Sequence, residues 1–404
     1  MSALLAAMTV LALQGAAAAS GAAGDLGGWL HDLGPYVFRL PNGFGPRWYG
    51  LSYLAGFAIA WFALKRLSRR GLIAIPEHRV ADAIMLVVLG VVLGGRLGYC
   101  LFYRPGLFLD FSSETVFGLD IPVWGVLKIW DGGMASHGGM LGVIVAGWRV
   151  SRGFKAQTET GEVVTEGRCP PLHVMDALAL VAPFGLFLGR VANFINGELL
   201  GRVIAGPGER VTGLVRTIAV RYPQEHLDPG MAPELSTEQR FEMLGLLNDY
   251  TSPEATAGAR YERLLELLRT GDPATRADIA QRLEPLVSAR LPSQLVQALA
   301  EGVIVGAVVW FVARVPRKPG VVAAWFLISY GVLRIATELV RLPDAHLSTA
   351  RPLGLTRGQW LSAAMIVAGA ALLWKAGRSG GARYLGWLGS GGRDSFSRGV
   401  QAGE

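Results

Sequence analysis

The sequence predicts an all-α, polytopic membrane protein, and its composition supports that class. Hydrophobic residues make up 51% of the 404 positions, charged residues only 17%, and the mean hydropathy is +0.37. A soluble chain usually carries about 25% charged residues, so a soluble protein of two or three domains fits poorly. The 54 glycines suit close helix packing or close approach of backbone to a ligand. Two cysteines, Cys100 and Cys169, exclude a disulfide scaffold and a cysteine-based zinc site.

Seven apolar stretches are long enough to cross a membrane, which takes roughly 17–25 residues. They cover residues 48–64, 80–103, 132–150, 174–196, 296–314, 320–340 and 357–375. Residues 1–19 form another apolar run, for which a cleaved signal, an extra span and an interfacial segment all stay open. The chain therefore divides into an N-terminal segment 1–46, a transmembrane domain 47–376, and a flexible tail 377–404 rich in Gly, Ser and Arg.

Lysine and arginine in the short loops predict the orientation of the spans. Sixteen basic residues follow the first, third, fifth and seventh spans, against seven in the opposite short segments. The side with sixteen is expected to be cytoplasmic, so the net charge of +7 records orientation rather than nucleic-acid binding. A long loop on the outer side, residues 203–289, carries charges of both signs and a helical stretch near Ala259–Arg269.

Polar residues inside the spans predict a cavity in the outer leaflet. An ionisable side chain at membrane depth costs roughly 2.5–3.5 kcal/mol, so such groups normally face a cavity or each other. With the orientation above, these residues fall at the outer ends of the spans, and several share helix faces at three- or four-residue spacing. The set comprises Tyr49, Arg96, Tyr99, Tyr103, His137, Arg190, Asn193, Asn196, Glu198, Tyr330, Arg334 and Glu338, with Glu301 and Gln359 also near outer ends.

The residue types indicate what such a cavity can bind. Two arginines in a partly dehydrated cavity suit an anion, and the planar guanidinium matches phosphate, which in this leaflet means a phospholipid headgroup. His137 can remove a proton from an incoming nucleophile, and Glu338 can orient an arginine. The alternative, purely structural interpretations are that His137 is a core histidine and that Arg334 and Glu338 form a structural ion pair. No HExxH or GxSxG spacing occurs in the sequence, and we expect neither a metal nor a cofactor. These patterns leave open an enzyme, a phospholipid or peptide transporter, and a structural or signalling protein.

Six stretches carry a more specific signal. They are Trp48–Leu54 (WYGLSYL), Gly94–Tyr103 (GGRLGYCLFY), Trp130–Gly142 (WDGGMASHGGMLG), Pro183–Arg202 (PFGLFLGRVANFINGELLGR), Pro292–Gly302 (PSQLVQALAEG) and Tyr330–Ala345 (YGVLRIATELVRLPDA). Through these stretches, from about residue 41 to 376 apart from the long outer loop, the chain resembles the prolipoprotein diacylglyceryl transferase family. It departs from the family pattern at Arg47, Ser136 and Leu291, and at Val296 and Gln297, where a Tyr-Glu pair is common.

The resemblance implies a membrane enzyme that uses no cofactor. It would transfer the sn-1,2-diacylglyceryl group of phosphatidylglycerol to the lipobox cysteine of a prolipoprotein signal peptide, at the bacterial cytoplasmic (inner) membrane and among its lipids. By matching position, the resemblance gives His137, Arg190 and Arg334 catalytic roles. We expect substrate-binding roles for Tyr49, Tyr99, Tyr103, Asn193, Glu198, Gly201, Tyr330 and Glu338, which match family positions, and for Arg96 and Asn196, which lie among the polar residues inside the spans. No nucleic-acid partner is expected.

Overall fold

The computed structural model describes residues 26–40, 45–116, 119–129, 132–338, 356–378 and 382–388. The apolar run 1–19 and most of the predicted tail 377–404 therefore lie outside the described residues. All of the candidate site residues lie within them.

Helices make up most of the described chain, as the sequence predicts. In chain order they are α1 (Trp48–Arg69), α2 (Val80–Phe102), α3 (Ser136–Ser151), α4 (Pro171–Asn196), α5 (Thr237–Tyr250), α6 (Ala257–Thr270), α7 (Pro273–Leu283), α8 (Ser293–Gln297), α9 (Val305–Ala313), α10 (Val321–Glu338) and α11 (Arg357–Arg378). A π-helical segment, Ala298–Ile304, joins α8 to α9.

Five helical segments are long and apolar enough to cross a membrane. Among the described residues they are Glu77–Phe102, Pro171–Asn196, Ser293–Ala313, Val321–Glu338 and Gly358–Arg378. They coincide with five of the seven predicted spans, which supports a multi-pass membrane protein. The other two predicted spans are also helical, in α1 and α3, but α3 has only 16 residues, fewer than the roughly 20 that usually cross a bilayer. The count of seven therefore stays a prediction.

Short strands are the part of the described fold that an all-α class does not include. They are β1 (Trp29–Leu30), β2 (Ser113–Val116), β3 (Leu119–Pro122), β4 (Phe154–Gln157), β5 (Val163–Glu166), β6 (Val203–Ala205), β7 (Val220–Arg221) and β8 (Ala289–Arg290). Two antiparallel pairs, β2–β3 and β4–β5, stand alone. The other four strands form one sheet in the order β1–β7–β8–β6, in which β1 runs parallel to β7. Strands this short show no alternation of polar and apolar residues that a sequence pattern can detect.

The chain divides into two compact units. The first comprises residues 1–55, 185–304 and 330–364, and the second comprises residues 56–184, 305–329 and 365–404. The candidate residues at positions 49, 190–201 and 330–338 fall in the first unit, whereas Arg96, Tyr99, Tyr103 and His137 fall in the second. The two sets are therefore described separately.

In the first unit, the long loop of residues 203–289 is a folded subdomain. Helices α5, α6 and α7 enclose a core that includes Leu246, Leu264, Ile279 and Leu283, all with no exposed surface. Each helix has a side-chain N-cap, which supplies an acceptor for otherwise unpaired backbone N–H groups. The caps are Ser236, Thr256 and Asp272. The predicted helical stretch near Ala259–Arg269 is confirmed as α6.

In the second unit, glycines let α2 and α3 pack backbone against backbone. A Cβ atom at Gly94 would overlap the carbonyl oxygen of Gly138, and one at Gly142 would overlap that of Gly90. Such close approach is typical of small residues at helix interfaces in membranes. The prediction that the abundant glycine serves close helix packing is confirmed at these positions.

Candidate active site

Four side chains of the first unit form one line of alternating charge, which we call the charge cluster: Arg190, Glu301, Arg334 and Glu338. Arg190 donates from Nε and Nη2 to Oε2 of Glu301 at 3.0 and 2.9 Å. The other oxygen of Glu301, Oε1, lies 3.8 Å from Nε of Arg334, and Nη1 of Arg334 lies 2.9 Å from Oε2 of Glu338. One carboxylate thus holds two guanidinium groups side by side.

The charge cluster is largely buried. Glu301 has no exposed side-chain surface, and the side chains of Arg190, Arg334 and Glu338 are 16%, 12% and 13% exposed. Charges inside a protein must be paired because their desolvation is costly, and the alternation of sign meets that requirement. Tyr330, one helical turn before Arg334, interacts with Arg190.

Three helical segments position the charge cluster. Arg190 comes from the last two turns of α4, and Arg334 and Glu338 are four residues apart on one face of α10. Glu301 lies in the π-helical segment that follows α8. A π-turn changes the direction in which following side chains point and is frequent at functional sites.

Several buried polar atoms around the charge cluster lack a hydrogen bond. Among the described residues they include both amide atoms of Gln297, Oε1 of Glu301 and Oδ1 of Asn196. An unsatisfied buried polar group costs about 1–3 kcal/mol, so native proteins retain few of them without a reason. Gln297 is the clearest case, because its side chain has no exposed surface and neither amide atom has a partner. A polar ligand would satisfy these atoms.

Next to Arg190 in sequence, four residues form a second network, which we call the hydroxyl network. Asn193 donates from Nδ2 to the hydroxyl oxygen of Tyr49. That hydroxyl donates to Oε2 of Glu198 at 2.8 Å, and Asn196 donates from Nδ2 to Oε1 of Glu198 at 3.2 Å. The carboxylate of Glu198 therefore receives one hydrogen bond on each oxygen, and Tyr49 at the start of α1 is tied to the end of α4.

The turn that carries Glu198 is held in an unusual conformation. Gly197 has φ +68° and Leu199 has φ +56°, a left-handed value that side chains other than glycine rarely adopt. The turn is fixed from outside, since Gln294 donates to the carbonyl oxygen of Glu198 at 2.5 Å and Ser293 to that of Leu199 at 2.8 Å. Gly201 packs so closely on the carbonyl of Leu291 that a Cβ atom would not fit. Gly201 thus has a packing role in this turn.

The N-terminal strand β1 supports the same region through a buried histidine. His31 donates from Nε2 to the carbonyl oxygen of Phe194 at 2.8 Å and accepts at Nδ1 from Gln224 at 2.9 Å. Complete burial, with a smaller contribution from the charge of Arg269, lowers the pKa of His31 to about 3. His31 is therefore neutral at physiological pH. It was not among the predicted residues, because the first 40 positions show no motif.

In the second unit, Arg96 has a different set of partners from the two arginines of the charge cluster. It is 4% exposed, and its guanidinium donates to the backbone carbonyls of Gly125, Val126, Gly132 and Gly133. These bonds fix the segment that leads to α3. The geometry assigns Arg96 to holding that segment rather than to an anion.

Two tyrosines and a histidine complete the candidate residues of the second unit. Tyr99 and Tyr103 stack at 5.9 Å between ring centroids, and the Arg96 guanidinium lies 5.7 Å from the Tyr99 ring. His137 lies in the first turn of α3 with an exposed side chain, and the described residues give its imidazole no hydrogen-bond partner. The imidazole is thus accessible to a substrate group.

Two residues that have no predicted catalytic or substrate-binding role lie within the site. Glu301 connects both arginines, and Gln297 is buried one turn before it. The sequence did contain a signal for Glu301, since it is a carboxylate inside an apolar span. What the pattern did not give is the pairing, because helix periodicity does not tell which neighbouring helix a face meets.

Comparison with known proteins places the chain among membrane transferases. A family model described as prolipoprotein diacylglyceryl transferase matches residues 35–375. A protein of Bdellovibrio bacteriovorus named phosphatidylglycerol--prolipoprotein diacylglyceryl transferase is 37% identical over 372 residues, which cover 89% of this chain and 97% of that protein. Proteins of the same name from Neisseria gonorrhoeae and a Polaromonas species are 36% and 34% identical. The matches cover 84% and 81% of this chain, and 94% and 88% of those relatives.

Proposed function

The chain belongs to the prolipoprotein diacylglyceryl transferase family, and we propose that it transfers an sn-1,2-diacylglyceryl group from phosphatidylglycerol to the lipobox cysteine of prolipoproteins. This reaction releases glycerol phosphate and is the first step of bacterial lipoprotein maturation. The names of relatives that cover most of the chain support it. The alternative, a phospholipid or peptide transporter, has no comparable support.

The charge cluster is the structural observation that best supports the proposed function, because it supplies residues that can bind the donor headgroup. A phosphatidylglycerol headgroup presents an anionic phosphate and neutral glycerol hydroxyls, so its site needs cations and amide or hydroxyl partners. Arg190 uses Nε and Nη2 on Glu301, which leaves Nη1 outside that pair, and Arg334 pairs through Nε with Glu301 and through Nη1 with Glu338, which leaves Nη2 outside both pairs. We assign the phosphate to these two arginines. The Gln297 amide and the hydroxyl network suit the glycerol hydroxyls.

The proposed chemistry is a displacement at the glyceryl carbon. The substrate thiolate forms a C–S bond to that carbon while the C–O bond to the phosphate breaks, and the electron pair stays on the phosphate oxygen. The phosphodiester, which carries one negative charge, becomes a phosphomonoester with a second. Two guanidinium groups already fixed by Glu301 stabilise that added charge without having to reorganise, which is how preorganised charges lower a barrier.

His137 is the proposed general base. The thiol must lose its proton before or during attack, and an imidazole has an intrinsic pKa suited to accept it. The support is that the His137 side chain is accessible and has no partner among the described residues. Arg96 is proposed to hold the segment that leads to α3. Tyr99 is proposed to supply an aromatic surface beside the first turn of α3, with Tyr103 stacked on Tyr99.

The proposed setting is the bacterial cytoplasmic membrane, with seven spans and the active site towards the outer leaflet. The excess of Lys and Arg in the loops after the first, third, fifth and seventh spans supports this orientation. It assigns the sheet and helices α5–α7 to the outer side. The N-terminal segment contributes β1, which pairs with β7, and His31, which donates to the carbonyl oxygen of Phe194.

One assay tests the function. Purified protein in vesicles of labelled phosphatidylglycerol is given a lipobox peptide with Cys, or the same peptide with Ser, at the acceptor position. We expect a diacylglyceryl thioether on the Cys peptide alone, together with stoichiometric glycerol phosphate. Transfer of lipid between leaflets with no covalent product would instead support a transporter.

A further inference from the structure

A cavity in the second unit lies at the ends of two membrane helices, where α10 begins and α11 ends. It has a volume of about 250 Å³, opens to the surface, and is lined by basic and apolar residues from three segments of the chain. The residues that matter here are Arg317, Lys318, Val321, Leu373 and Arg383. We call it the basic cavity. It lies in a different unit from the charge cluster, and the proposed transfer reaction does not use it.

The C-terminal segment builds one wall of the basic cavity. Arg317 and Tyr384 exchange both backbone hydrogen bonds, at 2.9 and 2.8 Å, so Arg383 is carried next to Arg317. Leu385 is 1% exposed, and the Trp387 ring lies 5.3 Å from that of Trp310. This part of the predicted flexible tail is therefore docked, and its docking adds Arg383 to the cavity lining.

Backbone carbonyl oxygens hold two cations of the basic cavity in place. Lys318 donates from Nζ to the carbonyl oxygens of Ala376 and Gly377 at 2.9 and 3.4 Å, which are acceptors at the end of α11. Arg317 donates from Nε to the carbonyl of Val312 at 2.9 Å, and its terminal amines lie outside that bond. Among the described residues, neither Arg317 nor Arg383 has an ion-pair partner, and the lining contains no acidic side chain.

The lining combines two chemistries. Three cations border an anion-sized space, while Val321 and Leu373 supply apolar surface on the two helices beside it. Both helices are long and apolar enough to cross a membrane, so their ends mark headgroup depth. A ligand that meets cations at that depth and apolar surface beside them is an acidic phospholipid, and basic pockets between helices are known to bind such headgroups.

We propose that the basic cavity binds the phosphate of an acidic phospholipid in the cytoplasmic leaflet, as a site separate from the donor site. The leaflet follows from the orientation proposed above, and the binding itself does not depend on it. Phosphatidylglycerol and cardiolipin share the phosphodiester anion that the three cations recognise, and both are ligands of the required chemistry. The bound lipid links the docked C-terminal segment to the ends of α10 and α11.

The competing explanation is that these basic residues only hold the chain in its orientation. A matched pair of variants separates the two explanations. Arg317→Gln with Arg383→Gln removes two charges from the cavity. Arg314→Gln with Arg378→Gln removes two charges nearby, from guanidinium groups that stack on Phe311 and Trp374 and do not line the cavity.

The measurement is lipid binding by full-length, delipidated protein in detergent, followed by native mass spectrometry. Phosphatidylglycerol, cardiolipin and phosphatidylethanolamine are titrated separately, with inorganic phosphate as a competitor. We expect the first two lipids to fill a site beyond the donor site, with at least tenfold weaker occupancy in the cavity variant and less than twofold change in the control variant. Transferase activity of both variants reports that they are folded, and Arg383→Gln alone serves if the double variant is not.

Three results would overturn the proposal. Equal losses in the cavity and control variants would assign the binding to general interfacial charge. Equal binding of phosphatidylethanolamine would remove the recognition of an anion. Displacement of the lipid by millimolar inorganic phosphate would make the cavity a site for a free anion rather than for a phospholipid.

Discussion

Nε and Nη2 of Arg190 both donate to a single carboxylate oxygen of Glu301, at 3.0 and 2.9 Å, and the second oxygen of Glu301 faces Arg334. Glu301 has no exposed side-chain surface, so its charge is balanced by these two arginines. The carboxylate of Glu301 therefore sets the spacing between the two guanidinium groups that are proposed to bind one phosphate.

Removing the charge of Glu301 is expected to impair both folding and transfer. In Glu301→Gln, two buried guanidinium groups lose the carboxylate they share, and breaking a buried pair typically costs about 3–5 kcal/mol. Loss of a preorganised charge contact also lowers turnover, by about 100-fold or more. Thermal unfolding and thioether formation measure the two effects.

Glu266→Gln is the matched control for that variant. Glu266 pairs with Arg39 and Arg263 on an exposed surface, where an ion pair contributes less than about 1 kcal/mol. If Glu301→Gln behaved like Glu266→Gln in both assays, the shared carboxylate would not organise the site.

The sequence predicted the chemistry of the first unit better than its connections. The spacing of Arg190 to Asn193 and of Tyr330 to Glu338 follows from helix geometry, and the structure places each of these groups on one face. The contact of Tyr49 with Glu198, 149 residues away, could not be predicted, because no local pattern connects the two positions. The sequence predicted Glu301 near the outer end of a span but not its pairing with the two arginines, because helix periodicity does not tell which neighbouring helix a face meets.

Gln297 and Gln294 are two buried glutamines that differ in the hydrogen bonds of their side-chain amides. The amide of Gln297 has no partner among the described residues, so Gln297→Leu removes an unsatisfied buried group and should raise the free energy of unfolding, by about 1–3 kcal/mol. It should raise the KM for phosphatidylglycerol about fivefold, the equivalent of one neutral hydrogen bond of about 1 kcal/mol.

Gln294→Leu is expected to show the opposite pattern. Gln294 donates to Glu198 and accepts from the Tyr222 hydroxyl, so its loss leaves two buried groups unpaired and costs about 1–3 kcal/mol. Equal destabilisation by Gln297→Leu and Gln294→Leu would contradict the assignment of Gln297 to a ligand.

The two glycines after His137 are expected to respond differently to an added methyl group. A Cβ atom at Gly138 would overlap the backbone of Gly94, whereas one at Gly139 would lie 3.7 Å from the nearest atom. Overpacking of this kind costs about 1–3 kcal/mol, while alanine in an open helical position stabilises by up to about 1 kcal/mol. Gly138→Ala should therefore lower the Tm and Gly139→Ala should not. Similar Tm values for both variants would contradict the close packing of α2 on α3.

Other parts of the fold could not be predicted, for reasons that are local. Strand β1 has two residues and its partner β7 lies about 190 positions later, so no pattern in the sequence connects them. The docked segment around Leu385 was predicted to be part of a flexible tail, because glycine, serine and arginine surround it in the sequence. Both depend on long-range contacts rather than on local propensity.

The buried His31 is expected to make stability depend on pH. Its pKa is about 3 in the folded chain and about 6.5 when unfolded. Between those values the unfolded chain binds a proton that the folded chain does not, so stability is full above pH 6.5 and falls as the pH drops. The expected slope is up to about 1.4 kcal/mol per pH unit from this group.

His31→Gln isolates that contribution, because glutamine can donate to the Phe194 carbonyl but cannot take a proton. The Tm of wild type should fall more between pH 7 and pH 5 than the Tm of the variant. The same decrease in both proteins would mean that His31 does not stay neutral in the folded state.

The most direct test of the site is thioether formation by Arg190→Lys and Arg334→Lys in phosphatidylglycerol vesicles with a Cys lipobox peptide. Lysine keeps the charge but cannot bind Glu301 and a phosphate at the same time through a planar fork of donors. We expect each variant to fold and to form the thioether at least 100-fold more slowly than wild type. A rate within threefold of wild type in either variant would contradict the claim that the two arginines act together on the headgroup phosphate.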